Sequence, residues 1–132
     1  MYFISDNKEY IQLHEVKRLL EQSYWANKRS LETIQVAIEN SLCFGVYLEA
    51  TKQQVGFARV LTDYATSFYL CDVIIDEAYR GNGMGKALME RIVTDQRLKS
   101  LKGLLITKDA HKLYENYGFE VINDRFMGLN LS

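Results

Sequence analysis

A single α/β domain with a mixed sheet is the fold that the sequence predicts, on three observations. Three strand-like runs follow one another between Leu42 and Ile75. A glycine-rich turn, Arg80-Gly81-Asn82-Gly83-Met84-Gly85, then leads into helical periodicity, and a further apolar run, Gly103–Thr107, follows that helix. Strand, helix, strand over this length is a crossover and makes those two strands parallel, whereas the short polar links among the first three runs make them antiparallel. A chain of 132 residues can bury one core but not two, so residues 1–132 are read as one domain without a linker.

Taken in order, Tyr2–Ile4 is predicted as a short first strand. Leu13, Val16, Leu19 and Leu20 then recur at helical spacing, which predicts a helix running to about Trp25. Ser30 is a good N-cap for a second helix, with Glu32 in its positive first turn and Leu31, Ile34 and Ile38 on one face. Cys43–Leu48, Val55–Leu61 and Phe68–Ile75 read as strands joined by polar links at Thr51–Gln53 and Asp63–Thr66. The third is apolar on both faces apart from Asp72, as a central strand would be. Met84, Ala87, Leu88 and Ile92 mark a helix to about Lys99, and Gly103–Thr107 reads as a buried strand. Asp109 is placed to cap a short helix through Tyr114 that Gly118 ends, with two last strands near Phe119–Ile122 and Arg125–Leu131. The predicted order is β-α-α-β-β-β-α-β-α-β-β.

The bulk numbers remove several classes of function. A composition 48% hydrophobic and 25% charged is that of an ordinary globular protein, not a disordered or fibrous one. Sixteen basic and seventeen acidic side chains leave a formal charge of −1, so no global field draws the chain to nucleic acid or anionic lipid. No apolar stretch is long enough to cross a bilayer, and Met1–Tyr10 lacks the features of a signal peptide. Cys43 and Cys71 form neither a disulfide framework nor a metal-ligand spacing, and are read as reduced core thiols of a cytoplasmic protein. His14 and His111 are read as solvent-facing, and no metal site is expected.

The glycine turn carries the chemistry. Between a buried strand and a helix, free backbone N–H groups and the positive end of the helix dipole converge on an anion. Glycines at 81, 83 and 85 let the backbone approach phosphate oxygens, and Arg80 and Lys86 add positive charge. A Walker loop would need a Gly-Lys-Ser/Thr triplet that is absent, and a dinucleotide fold should open with its first strand rather than place this loop after a meander.

Arg80, Gly83 and Gly85 match the (Gln/Arg)-x-x-Gly-x-(Gly/Ala) signature of the GNAT family of N-acetyltransferases, and the chain resembles that family in a second motif as well. In Ala110–Phe119 a tyrosine, Tyr114, precedes the Gly118-Phe119 pair by four residues. The resemblance covers the element order of nearly the whole chain. It implies acetyl-coenzyme A (acetyl-CoA) as cosubstrate, lying in a V-shaped opening between splayed parallel strands, here Leu70–Ile75 and Gly103–Thr107. It implies that main-chain groups of Val73, Ile74 and Ile75 pair with the pantetheine arm, and that the N–H groups of Gly81, Asn82, Gly83, Met84, Gly85 and Lys86 hold the pyrophosphate. Two departures stand out: Thr107 replaces a common asparagine, and Glu77 replaces a common proline ahead of the loop.

Acetylation of an amine needs a neutral nucleophile and a protonated leaving thiol. The resemblance implies that Tyr114 serves as the acid, because the matching tyrosine directs its hydroxyl at the thioester sulfur. Strand alternation puts Asp72 on the face of Phe68, Leu70 and Ile74, where an isolated carboxylate is costly unless it is hydrogen-bonded or functional. Asp72 is accordingly a candidate base or amine anchor, with an ion pair to Arg59 as its structural alternative. Tyr24, Trp25, Tyr64 and Phe68 fall in regions that line the acceptor pocket of this family, and aromatic walls suit an alkylammonium or a flat apolar group.

The expected function is transfer of acetyl from acetyl-CoA to a small primary amine or an exposed peptide amine. The alternative is a non-catalytic acyl-CoA sensor that keeps the loop and blocks the acceptor pocket. Pairing of two copies through the last strands is compatible with either.

Overall fold

Five strands form one sheet in the spatial order β1-β2-β3-β4-β5, described for residues 1–131 in a computed structural model. The elements are β1 (Tyr2–Ser5), α1 (Leu13–Leu20), α2 (Leu31–Glu39), β2 (Leu42–Leu48), β3 (Gln54–Thr62), β4 (Ser67–Ile75), α3 (Met84–Val93), β5 (Lys102–Leu105) and α4 (His111–Glu115). The first four strands pair antiparallel in chain order, while β4 and β5 pair parallel across the α3 crossover. The mixed α/β architecture follows from those two connection types.

Both sheet faces are covered. Leu42, Phe44, Val46, Val60, Phe68 and Leu70 pack with Met84, Leu88, Met89 and Ile92 of α3. Cys43, Phe57 and Ile74 pack on the other face with Val16, Leu19 and Leu20 of α1 and Ile34 and Ile38 of α2. Ser30 caps α2 as expected, its Oγ accepting from the Thr33 N–H at 3.1 Å.

Local side-chain bonds shorten both long helices relative to the expectation. The first ends at Leu20 rather than near Trp25 because Ser23 Oγ donates to the Leu20 carbonyl and accepts from the Ala26 N–H, which turns the chain. Tyr24 and Trp25 therefore sit on a turn. α3 ends at Val93 rather than Lys99, where buried Asp95 gathers Arg91, Arg97 and the Arg97 backbone N–H into a turn of its own. No side chain caps the last helix: its N-cap is Ala110 rather than Asp109, and Thr107 Oγ1 accepts from the Ala110 N–H in the turn ahead of it. Gly118 does end that helix, at φ +93°.

The two strands expected near Phe119–Ile122 and Arg125–Leu131 do not form; both segments are irregular and mostly exposed. Val121, Ile122, Phe126 and Leu129 stay exposed instead of packing on a sheet face, so no burial holds these segments along β5, whose outer edge is unpaired among the described residues. β5 is consequently an edge strand rather than a buried one, with Leu104 exposed on alternate positions.

Candidate active site

The site begins with an irregularity in β4. Phe57 faces Ile74 and Arg59 faces Cys71, so β4 carries one more residue than β3 between these pairs. The extra residue is accommodated at Asp72, whose φ of +57° is left-handed, a conformation that aspartate tolerates better than most side chains. The bulge inverts the face pattern. Phe68 and Leu70 lie on the α3 side, whereas Asp72 and Ile74 lie on the α1–α2 side. The expectation that all four share a face is corrected here, because the period-two rule holds only for an unbulged strand.

The same region opens the sheet. β4 pairs with β5 only from Ser67↔Lys102 to Leu70↔Leu105. Val73, Ile74 and Ile75 lie beyond the last paired residue, which leaves main-chain groups on that side of β4 without a strand partner. A cleft of about 940 Å³ occupies the gap. Its floor is β4 from Tyr69 to Ile75, one wall is the glycine turn, and the other carries Leu105, Thr107 and Tyr114.

The glycine turn suits an anion by its conformation. Gly81 and Gly83 have φ of +86° and +79°, and a Cβ at either would meet nothing within 4 Å, so positive φ rather than crowding demands glycine there. Gly83 is the N-cap of α3 and no side chain caps that helix, so the first-turn N–H groups of Met84, Gly85 and Lys86 have no helical partner. Arg80 Nε donates to the Ile75 carbonyl at 3.0 Å, which ties the turn to the end of β4. Asn82 points elsewhere: its amide donates to the Tyr79 carbonyl at 3.1 Å and it does not line the cleft. A pyrophosphate against these amides, with an extended arm along β4, matches the free donors and the room available.

Two residues without any sequence signal hold the approach to this turn. Gln22 Oε1 accepts from the Glu77 N–H at 3.0 Å, and its amide donates to Asp76 Oδ1 at 3.3 Å. Arg18 Nη1 reaches Asp76 Oδ2 at 2.8 Å. Asp76 itself accepts from the Ala78 N–H. Burial would raise the Asp76 pKa, but the Ala78 and Arg18 bonds outweigh it and hold the carboxyl below its ordinary value. Gln22, in the turn after α1, thus restrains Glu77, the position where a proline is common in this motif, while Arg18 of α1 holds the neighbouring Asp76.

At the opposite side of β4, Asp72 is 5% exposed and saturated with donors. Arg29 Nη1 and Arg59 Nε reach Oδ2 at 2.7 and 2.8 Å, and the Trp25 indole Nε1 donates to Oδ1 at 3.1 Å. Burial disfavours its charge, yet the hydrogen bonds from Arg59 and Arg29 prevail and depress its pKa. The structural alternative foreseen for Asp72, an ion pair with Arg59, is present and doubled by Arg29.

Tyr114 lines the cleft and stacks edge-on to Phe119, with ring centroids 6.1 Å apart. Burial, and then the proximity of Tyr24 and Asp109, raise its pKa, so the phenol stays protonated at neutral pH. Tyr24 and Trp25 line the cleft and meet edge to face at 5.1 Å. The other two aromatic candidates do not reach it. Phe68 is buried in the α3-side core, so tightly against Gly103 that a Cβ there would lie 2.5 Å from its ring. Tyr64 is an exposed turn residue at φ +60°. Cys71 lines the cleft instead, and burial pushes its thiol up to about 11, so it stays protonated.

Known proteins share this architecture. A Xanthomonas campestris pv. campestris protein assigned to the GNAT family is 36% identical, with a TM-score of 0.86 over 96% of this chain and 94% of its own. A predicted acetyltransferase of Clostridium acetobutylicum, solved with acetyl-CoA, shares the fold at 20% identity and a TM-score of 0.70, over 99% of this chain and 96% of its own. The uncharacterized N-acetyltransferase ycf52 of Gracilaria tenuistipitata var. liui is 28% identical over 125 residues, 91% of this chain and 68% of that protein. Residues 39–121 match the acetyltransferase (GNAT) domain, a span that takes in β2 to α4 with the glycine turn and Tyr114, and on that match the chain belongs to the GNAT family of acetyltransferases.

Proposed function

We propose that this protein transfers the acetyl group of acetyl-CoA to an amine by direct attack on the thioester. The observation that carries the reading is the single cleft in which unpartnered helix N–H groups, the unpaired side of β4 and the Tyr114 side chain meet. Gly81, Gly83, Met84, Gly85 and Lys86 hold the pyrophosphate, and Val73, Ile74 and Ile75 align the pantetheine arm. The amine nitrogen bonds to the carbonyl carbon as the carbon–sulfur bond breaks. The Tyr114 hydroxyl gives its proton to the departing sulfur, and the proton that the nitrogen sheds on amide formation is relayed through solvent to the tyrosinate and restores the phenol. Asp72 works through its neighbours, positioning Arg29 and Trp25 at the acceptor side rather than accepting the proton, since two guanidiniums suppress its basicity.

No helix among the described residues is long and apolar enough to cross a membrane, and the two free cysteines suit a reducing compartment such as the cytoplasm. A second copy is the partner we assign to the outer edge of β5 and the exposed apolar residues Val121, Ile122 and Phe126, so sedimentation should give a homodimer.

The experiment that tests the reading measures thiol release from acetyl-CoA against a panel of acceptor amines. Acetyl-CoA that binds tightly with no thiol release on any amine would overturn it in favour of a non-catalytic acyl-CoA sensor.

A further inference from the structure

Resting on that reading of the cleft, we infer that the acceptor carries an anionic group, a carboxylate or a phosphate, seated on the guanidinium of Arg29 on the α1–α2 side of the splay. The charge of the cleft is the first ground. Four basic side chains line it, Arg29, Arg59, Arg80 and Lys86, against two acidic ones, Asp72 and Asp109. Arg80 and Lys86 belong to the glycine turn, where a pyrophosphate would neutralise them. On the acceptor side, Arg29 and Arg59 share the one carboxylate of Asp72, so the trio keeps one uncompensated positive charge. That charge is partly desolvated, because the Arg59 side chain is 12% and the Arg29 side chain 29% exposed. A cation in a cleft of this kind attracts an anion more strongly than one on open surface.

The second ground is the geometry of the guanidinium. Arg29 spends Nη1 on Asp72, and its Nε and Nη2 donate to no other group among the described residues. Those two nitrogens make up the side fork of the group, whose parallel N–H bonds fit the two oxygens of a carboxylate or phosphate. The fork is held at both ends. Asp72 fixes the guanidinium, and Lys17 Nζ donates to the Arg29 carbonyl at 2.9 Å, which fixes the backbone. A receptor restrained in this way loses little entropy when it is occupied. Lys108 Nζ lies over the Tyr24 ring, 5.4 Å from its centroid, whereas Trp25 lines the cleft and is 43% exposed, which leaves apolar surface beside Arg29 for a side group.

Polyamines are disfavoured on the same grounds. The net positive charge of the Arg29–Arg59–Asp72 trio repels a second ammonium, and Asp72 has no free oxygen to offset that after two guanidiniums and an indole. Asp109 remains, but it is exposed and its charge is felt at Tyr114.

The only tryptophan of the chain, Trp25, donates to Asp72 and so reports on this site by its fluorescence. The test uses the intact protein saturated with coenzyme A. The twenty L-amino acids are titrated against their carboxamides, O-phosphoethanolamine against ethanolamine, and 1,4-diaminobutane alone. Thiol release from acetyl-CoA is followed in parallel. The expected result is at least one acid that binds, and reacts by kcat/KM, about tenfold or more better than its uncharged counterpart. The amino-acid and phosphate arms tell which anion is meant. Arg29→Met should bring the acid and its counterpart within about threefold of each other, Arg29→Lys should keep part of the preference, and both should keep the acetyl-CoA affinity. Amides that bind as well as acids, a diamine that binds best, or no response to any acid would overturn the inference. Acids that bind without thiol release would instead overturn the transfer reading and leave this one standing, whereas thiol release indifferent to acceptor charge would sink this inference alone.

Discussion

Trp25 and Asp72, 47 positions apart, meet through an indole-to-carboxylate hydrogen bond of 3.1 Å that links the turn after α1 to the bulge of β4. With Arg29 and Arg59 on the other oxygen, this contact makes Asp72 the pin between the helical layer and the floor of the cleft. Replacing it with asparagine removes the charge that both guanidiniums face. Breaking one member of a buried ion pair costs about 3–5 kcal/mol, so Asp72→Asn should lower the melting temperature by well over ten degrees. The acceptor KM should rise while acetyl-CoA affinity is retained, because the phosphate turn lies across β4. Calorimetry and titration of acetyl-CoA check this. A variant of wild-type stability whose kcat alone collapses would restore Asp72 to the role of base.

The acid limb of stability follows from the same group and two others. Asp72 and Asp76 are held below their ordinary values for the reasons given above. Asp95 is held lower still, first by its bonds to Arg97, against a burial cost, and then by Arg91. A carboxylate whose folded pKa is depressed contributes stability that is fully present above its unfolded value, near ~3.9, and is lost as pH falls through the folded one. The melting temperature should therefore change little through these groups between pH 7 and about 5 and fall steadily below about 4. Asp72→Asn should start lower and lose less over that acid range. A melting temperature that is flat down to pH 2.5 would remove these three groups from the account.

Gly83 tests the phosphate turn. Its φ of +79° costs a non-glycine residue about 1–2 kcal/mol, but a Cβ there meets no protein atom within 4 Å, so the fold should survive Gly83→Val. What should suffer is the ligand, which needs that space. In the wild type, acetyl-CoA at a hundred times its Kd should add about 2.7 kcal/mol of stability, with NAD and ATP adding far less. In the variant this protection should vanish at the same concentration. Equal protection of the wild type by ATP would count against the assignment.

How much of this could be read from residues alone depends on the range of the interaction. The glycine turn, the Ser30 cap and the meander are local patterns of side-chain type and spacing, and they appear where expected. The bulge at Asp72 leaves no mark in the alternation, so the sequence places Phe68 with Asp72 when the strand turns them to opposite faces. Arg29, one residue before a helix cap, looks like any solvated arginine until the fold carries it to Asp72, 43 positions on. Gln22 is silent for the same reason. The last strands fail because a pattern of apolar residues states a preference for a partner and cannot supply one.

Gln22 offers a test of that long-range restraint. It is the only side chain among the described residues that holds the Glu77 N–H, and it braces Asp76 as well. Gln22→Ala should free the approach to the phosphate turn and weaken acetyl-CoA binding by about three- to tenfold, the worth of one or two hydrogen bonds. Gln22→Glu should keep the acceptor for the Glu77 N–H but set a carboxylate against Asp76, and should bind no better than the alanine variant. Acceptor KM should move little in either. Unchanged acetyl-CoA affinity in both would leave Gln22 without a positioning role.

Tyr114→Phe removes one hydroxyl and keeps a ring that packs against Phe119, so the fold and the affinity for acetyl-CoA should hold. The phenol of the wild type stays protonated through neutral pH, because burial and the nearby Tyr24 and Asp109 raise its pKa. It is therefore available as a proton donor to the departing sulfur, a bond made mainly in the transition state. Its loss should lower kcat by roughly ten- to a thousandfold. The loss should not be complete, since a thiol of pKa near ~8.5 leaves fairly well as the anion. Acyl donors with more acidic leaving thiols need less help, so the deficit should shrink along such a series. In the wild type the rate should fall on the alkaline side as the phenol ionises, and the variant should lack that limb. A variant with the wild-type kcat on every donor, measured where chemistry limits turnover, would leave Tyr114 as a packing residue and the leaving thiolate to be protonated by water.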